Sequence, residues 1–216
     1  MIFVSIDFET LVPFSTEWWT CAVAVAEYPS GNIIETTSFA VERSLDSPPN
    51  QFWQRHHHAY RFNVMLSKGR TDVSEEEERI ATYFDSIRAR FTDFTFLTDC
   101  PEADTGMLNH ILRRRGRPVI SDRGEGLFRQ TVCTWSMRLG MKRCLGPYQW
   151  FALLQSSAAE AASRPVELAC IGTLVHVAHT DCLVMLRNYF RLMDIQAKTN
   201  GSALVVQQPP SIGVQP

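Results

Sequence analysis

Apolar residues recur at two different periods along the chain, and the point where the period changes marks its organisation. "IFVSIDF" (2–8), "WWTCAVAVAEY" (18–28) and "IIETTSFAVE" (33–42) are short apolar or alternating runs rich in β-branched and aromatic residues, which predicts three strands. The turn-forming "PSGN" (29–32) joins the second and third into a hairpin. Beyond residue 51 the spacing turns helical. "FWQRHHHAYRFNVML" predicts one helix, and "SEEEERIATYFDSIRARF" an amphipathic one with Ser74 and Glu77 in capping-box positions. "FTFLT" (94–98) predicts a fourth strand and Asp104 to Arg115 a further helix. From Thr131 onward the pattern is mostly helical: "TVCTWSMRLG", "YQWFALLQSSAAEAA", and a long helix starting near Thr180 and running past Tyr189. The ending "QQPPSIGVQP" has no periodicity, so one domain over 1–200 and a disordered tail over 201–216 are expected. Three antiparallel strands followed by alternating helices and short strands predict a mixed α/β sheet with helices on its faces.

Composition narrows the setting. At 216 residues, 45% hydrophobic and 20% charged, the chain suits one packed globular domain. Its cysteines form no CxxC pair, and the N-terminus lacks the order of a signal peptide, so reduced thiols and a cytoplasmic location are expected. The most apolar stretch, Leu168 to Leu186, carries His176, His179 and Asp181, a poor membrane span, and no membrane association is expected. A net charge of -2 argues against gripping long duplexes by electrostatics alone. It leaves nucleic acid open, because metal ions can bring positive charge to carboxylates. "RRRGR" (113–117) reads either as a solvated helix end complementing the dipole or as a local basic patch.

The first strand raises a chemical question, because it ends in Asp7 and Glu9. Residues two apart on a strand share a face, about 6 to 7 Å apart. Two like charges side by side become favourable when a cation, most simply a hard divalent metal ion, sits between them. Asp104 lies in "FLTDCPEADTGML", past the carboxyl end of the fourth strand, where sites form in open α/β sheets. It also reads as a helix N-cap, and Asp99 is a rival for any ligand role there. Asp181 interrupts an apolar helix in its first turn, five residues after His176, and a buried carboxylate there needs a partner such as a metal. The run His56 to His58 invites a zinc reading, but consecutive helical residues point about 100° apart and cannot converge on one ion. Trp53 reads equally as a core aromatic or as a stacking face for a base.

Asp7-x-Glu9, the aspartate of "DCPEAD" at Asp104, and His176-x-Ala178-x-x-Asp181, in that order, resemble the three motifs of the DEDDh 3'-5' exonucleases, over roughly residues 1–195. Compact single-domain exoribonucleases look most similar. The second motif lacks the asparagine-rich approach common in that family, and "GPYQWFALLQSSAAEAASRPVELACIG" has no counterpart carried over. The resemblance implies a ribonuclease H-like fold and two Mg2+ or Mn2+ ions held by Asp7, Glu9, Asp104 and Asp181. It further implies His176 as general base, Thr10 and Leu11 against the terminal nucleotide, and 5'-mononucleotide products from a single-stranded 3' end of RNA or DNA. RNA is slightly favoured, and a homodimer is implied by resemblance only. The alternatives are a DNA exonuclease or proofreading subunit, a non-catalytic nucleic-acid-binding module on the same fold, and an interaction protein using the unmatched segment and tail.

Overall fold

The computed structural model describes residues 1–12, 15, 17–43, 48–98, 100–121, 127–128, 131–133 and 177–203. Strands β1 (Ile2–Thr10), β2 (Trp18–Glu27) and β3 (Ile33–Ala40) form an antiparallel meander. The turn between the last two closes where the Gly31 amide donates to the Glu27 carbonyl at 2.9 Å. Gly31 takes φ +71, a conformation that costs glycine nothing. Helices α1 (Gln51–Arg55), α2 (His57–Ser67) and α3 (Val73–Arg90) follow. Strand β4 (Thr95–Thr98) then enters parallel to β1, pairing Phe3 with Thr95 and Ser5 with Leu97. Helix α4 (Pro101–Arg114) leads to three short strands, β5 (Ile120–Ser121), β6 (Leu127–Phe128) and β7 (Thr131–Cys133). The last described element is α5 (Ala178–Ala203).

The main sheet has the order β3-β2-β1-β4-β7, with β7 parallel to β4, while β5 and β6 form a separate parallel pair. This is the expected mixed α/β sheet with its first three strands antiparallel. Strand alternation sends Val4, Ile6, Val23 and Val25 to one face, where Ile80, Phe84 and Ile87 of α3 and Leu108 and Ile111 of α4 cover them. Phe3, Ala22, Ala24, Ala26 and Leu97 face the other way, under Cys182, Met185 and Leu186 of α5. With both faces covered, β2 is buried from Trp18 through Ala26, and Trp18 and Trp19 are both core residues.

Four departures from the sequence reading have local causes. The single helix expected over residues 52–66 breaks at His56 (φ -103, ψ 42), which lets α1 lie over the end of β1 while α2 covers β2. Helix α3 is capped by Asp72, whose carboxylate accepts from the Ser74 and Glu75 amides. Glu77, taken for the capping-box partner, pairs instead with Arg114 and Arg115. Thr131–Cys133, expected to be helical, is a strand, because the open edge of β4 offers backbone partners that outweigh local propensity. Finally, α4 begins at Pro101 rather than Asp104, with proline at a helix position whose amide has no acceptor to lose. The helix expected over 148–162 lies outside the described residues, as does 204–216; α5 continues to Ala203, three residues into the expected tail. Among the described residues no helix is long and apolar enough to cross a membrane.

Candidate active site

Strand β1 is the central strand, and its carboxyl end carries Asp7 and Glu9 on the face covered by α5. Both are anchored by antiparallel pairing, Asp7 opposite Ala22 and Glu9 opposite Thr20, before an irregularity between Glu9 and Thr10 ends the regular register. Across from them α5 starts at Ala178, and Asp181 lies in its first turn, where its amide donates to the Val177 carbonyl at 3.0 Å. A helix beginning on the α5 face of the sheet therefore delivers a third carboxylate. One oxygen from each of Asp7, Glu9 and Asp181 lies within 4.8 Å of the others.

The electrostatics follow from that crowding. Glu9 is 8% exposed, and burial, then Asp181, then Asp104 hold its carboxyl well above the usual carboxylate range. Three hard oxygen donors at this spacing, one of them penalised for carrying charge, form a donor set suited to a divalent cation. Asp104, 3% exposed in the first turn of α4, is near enough to act on Glu9 yet stands outside the trio. Its Oδ1 accepts from the Phe8 amide at 3.1 Å, and its other carboxylate oxygen accepts from the Thr98 hydroxyl. β4 stops pairing with β1 at Leu97, and the Asp104 carboxylate takes over as a backbone acceptor for β1. Asp104 is thus tied to the peptide between Asp7 and Glu9.

The other residues singled out in the sequence do not share one setting. His176 and Asp99 lie outside the described residues. His179 is half-buried, and burial lowers its pKa. Thr10 and Leu11 directly follow the acidic pair; the Thr10 hydroxyl donates to the Val12 carbonyl at 2.8 Å, and Leu11 packs against the Trp19, Trp53 and Tyr60 cluster. Trp53 takes the core alternative, which corrects the stacking one: it is 0% exposed, edge-on to Trp19 with ring centroids 5.3 Å apart, and presents no stacking face for a base. His57 and His58 are exposed at the start of α2, while the His56 ring lies 4.7 Å from that of Phe52.

Two neighbours of the site escaped the sequence reading. Thr98 bonds Asp104 and also accepts from the Cys100 amide at 3.1 Å; a hydroxyl residue at the strand end before "DCPEAD" was the available signal. Asn50 caps α1, accepting from the Trp53 amide at 3.1 Å, and an asparagine just before a helical run is a readable N-cap.

No family model matches this sequence, and no curated protein matches it either. Solved structures do share its fold. The crystal structure of cell-death related nuclease 4 (CRN-4) superposes with a TM-score of 0.55 at 13% identity, over 90% of this chain and 64% of that one. The nuclease domain of 3'hExo, described as a DEDDh family member bound to rAMP, superposes with a TM-score of 0.54 at 13% identity, over 90% and 92%. The chain therefore spans somewhat less than two thirds of CRN-4 and nearly all of the 3'hExo nuclease domain. At this identity the likeness is one of fold, and the fold is the ribonuclease H-like one of DEDDh-type exonucleases.

Proposed function

We propose that this chain is a divalent-metal-dependent 3'-5' exonuclease that removes 5'-mononucleotides from single-stranded ends, RNA in preference to DNA. One observation carries the reading: Asp7 and Glu9 of β1 and Asp181 of α5, distant from them in sequence, bring carboxylate oxygens within 4.8 Å of one another on a fold shared with nucleases. A structural role alone gives no reason to gather three acids at the end of a central strand, since their mutual repulsion opposes folding.

In this reading Asp7, Glu9 and Asp181, joined by Asp104, would hold two Mg2+ or Mn2+ ions, which when bound would acidify a water and offset the charge on the leaving 3' oxygen. The protein's own residues do the rest. Burial and the neighbouring acids favour the protonated form of Glu9, and a bound cation would favour its carboxylate. His176, outside the ligand set, accepts the proton of the attacking water, a task matched to an imidazole's affinity for protons. Thr10 and Leu11 bear on the terminal nucleotide. The 3'hExo nuclease domain was solved with a ribonucleotide, rAMP, which supports RNA as the substrate.

Digestion of matched 5'-labelled single-stranded RNA and DNA, with Mg2+, Mn2+ or EDTA, tests this directly. The expected result is a ladder shortening from the 3' end that requires metal, runs faster on RNA, and disappears in Asp7→Ala and in His176→Ala. Equal shortening in EDTA, or activity surviving Asp7→Ala, overturns the metal mechanism. A faster DNA ladder overturns the sugar preference alone.

A further inference from the structure

The turn that follows β1 is held more firmly than the joining of two strands requires. The Thr10 carbonyl accepts from Trp53 Nε1 at 3.2 Å. The Leu11 carbonyl accepts from the same Nε1 at 3.2 Å and from Asn50 Nδ2 at 2.7 Å. The Val12 carbonyl accepts from Thr10 Oγ1 at 2.8 Å and from the Ser15 amide at 3.1 Å. Three successive carbonyls thus each have a donor, and for the first two those donors are side chains from around α1, some forty residues away.

These donors are themselves fixed. Asn50 Oδ1 accepts from the Trp53 amide, so one side chain both caps α1 and reaches Leu11. The Trp53 indole is buried, its ring centroid 5.3 Å from that of Trp19 and 6.2 Å from that of Tyr60, which leaves its N–H one direction to point. In a trans peptide the N–H is opposed to the preceding carbonyl. Holding the Thr10 and Leu11 carbonyls toward α1 therefore turns the Leu11 and Val12 amides away from it, immediately after Glu9. The same buried cluster includes Val177, the residue before α5, so a single packing unit backs both chain segments that lead to the acidic trio.

We propose that Asn50 and Trp53 are positioning residues for substrate: they lock the two peptide planes after Glu9 so that the Leu11 and Val12 amides face the terminal nucleotide. This rests on the nuclease reading above, and it assigns Trp53 a role through the backbone in place of stacking on a base. Neither residue touches metal or substrate, so its loss weakens binding of the chain end and leaves the acid cluster intact.

Two conservative variants separate aim from packing. Trp53→Phe keeps a buried ring and deletes the indole N–H; Asn50→Asp keeps the capping acceptor and deletes the amide donor. Steady-state kinetics on a 5'-labelled single-stranded oligonucleotide with Mn2+ are measured beside thermal unfolding and calorimetric Mn2+ binding, all on the full chain. Each variant is expected to raise KM about tenfold with kcat within about twofold, the signature of lost uniform binding. Mn2+ affinity stays at the wild-type value. The double variant falls short of the product of the singles, because both donors meet the Leu11 carbonyl. Wild-type KM in both folded variants overturns the positioning role and leaves the nuclease reading standing. Loss of Mn2+ affinity in step with KM overturns it too, since the pair would then be supporting the metal cluster. Where one variant fails to fold, the other decides. A wild-type chain that shortens no oligonucleotide overturns the nuclease reading and this inference with it.

Discussion

The Glu9 carboxyl is held above the usual carboxylate range by burial first, then by Asp181 and Asp104. Its consequence for stability has a definite sign. The folded chain keeps the proton to higher pH than the unfolded chain does, so metal-free stability is fully present below the ordinary glutamate value and falls as pH rises toward the raised one. Glu9→Gln removes that loss. Thermal melts in EDTA at neutral pH are expected to show the variant more stable by about 1–2 kcal/mol, a rise of roughly 2–8 °C for a chain this size. If Glu9 is a metal ligand as proposed, adding Mn2+ is expected to reverse the order, because cation binding would stabilise the wild type by mass action. A wild-type chain that melts higher than Glu9→Gln in EDTA would show that the acid cluster carries no strain. Thr98 belongs to the same scale: Thr98→Val deletes the hydroxyl held by Asp104 and leaves a buried carboxylate with one fewer donor. That variant is expected to lose about 1–3 kcal/mol in denaturant titrations.

Between elements, the contact of α3 with α4 rests on a buried acid. Glu77, 2% exposed on α3, accepts from Arg114 at 3.2 Å and Arg115 at 2.9 Å, just where α4 ends. Arg117 continues the seam to Glu78 at 2.9 Å and Asp85 at 2.7 Å. Three of the arginines of "RRRGR" therefore face carboxylates of α3, which argues against the basic-patch reading, while Arg113 and Arg114 stand exposed in the last turn of α4, as the solvated helix-end reading expects. Glu77→Gln keeps the shape and removes the charge. It is expected to cost about 1–3 kcal/mol, below the range for breaking a fully buried pair because Arg114 is largely exposed. Oligonucleotide binding is expected to be unchanged in Arg114→Ala, and a marked loss there would restore the basic-patch reading.

At the scale of the molecule, the site exists because a helix can approach the sheet closely. Ala22, Ala24 and Ala26 form the surface of β2 beneath Cys182, Met185 and Leu186 of α5, and alanines there let the helix axis sit low enough to bring Asp181 to Asp7 and Glu9. Ala24→Leu forces extra methylenes into that packing, at a cost of about 1–3 kcal/mol. The expected result is a loss of Mn2+ affinity measured by calorimetry, although Ala24 is no ligand, because α5 must move away and carry Asp181 with it. Retained affinity in a folded variant would show that the packing of α5 on β2 does not place Asp181.

The extent of the site was legible because its chemistry is written in short range. Period-two alternation places Asp7 and Glu9 on one face of β1, and an acid in an apolar helical run marks Asp181; both statements need only local geometry. The pairing of β2 with β3 was legible for a related reason, since the "PSGN" turn leaves a hairpin little alternative. What depended on long-range contact was unreadable. Thr131–Cys133 became a strand through the free edge of β4, remote in sequence, α1 and α2 parted at His56 to cover two different strands, and Trp53 was taken into the core by Trp19 and Tyr60. The sequence by itself determined where acids interrupt apolar elements and which faces they share, because those follow from backbone periods of two and 3.6 residues. Only the tertiary structure decided that Asp181 meets Asp7 and Glu9 while Asp104 turns to Phe8 and Thr98, because distances between remote segments are set by packing volume and hydrogen-bond partners that no local pattern encodes.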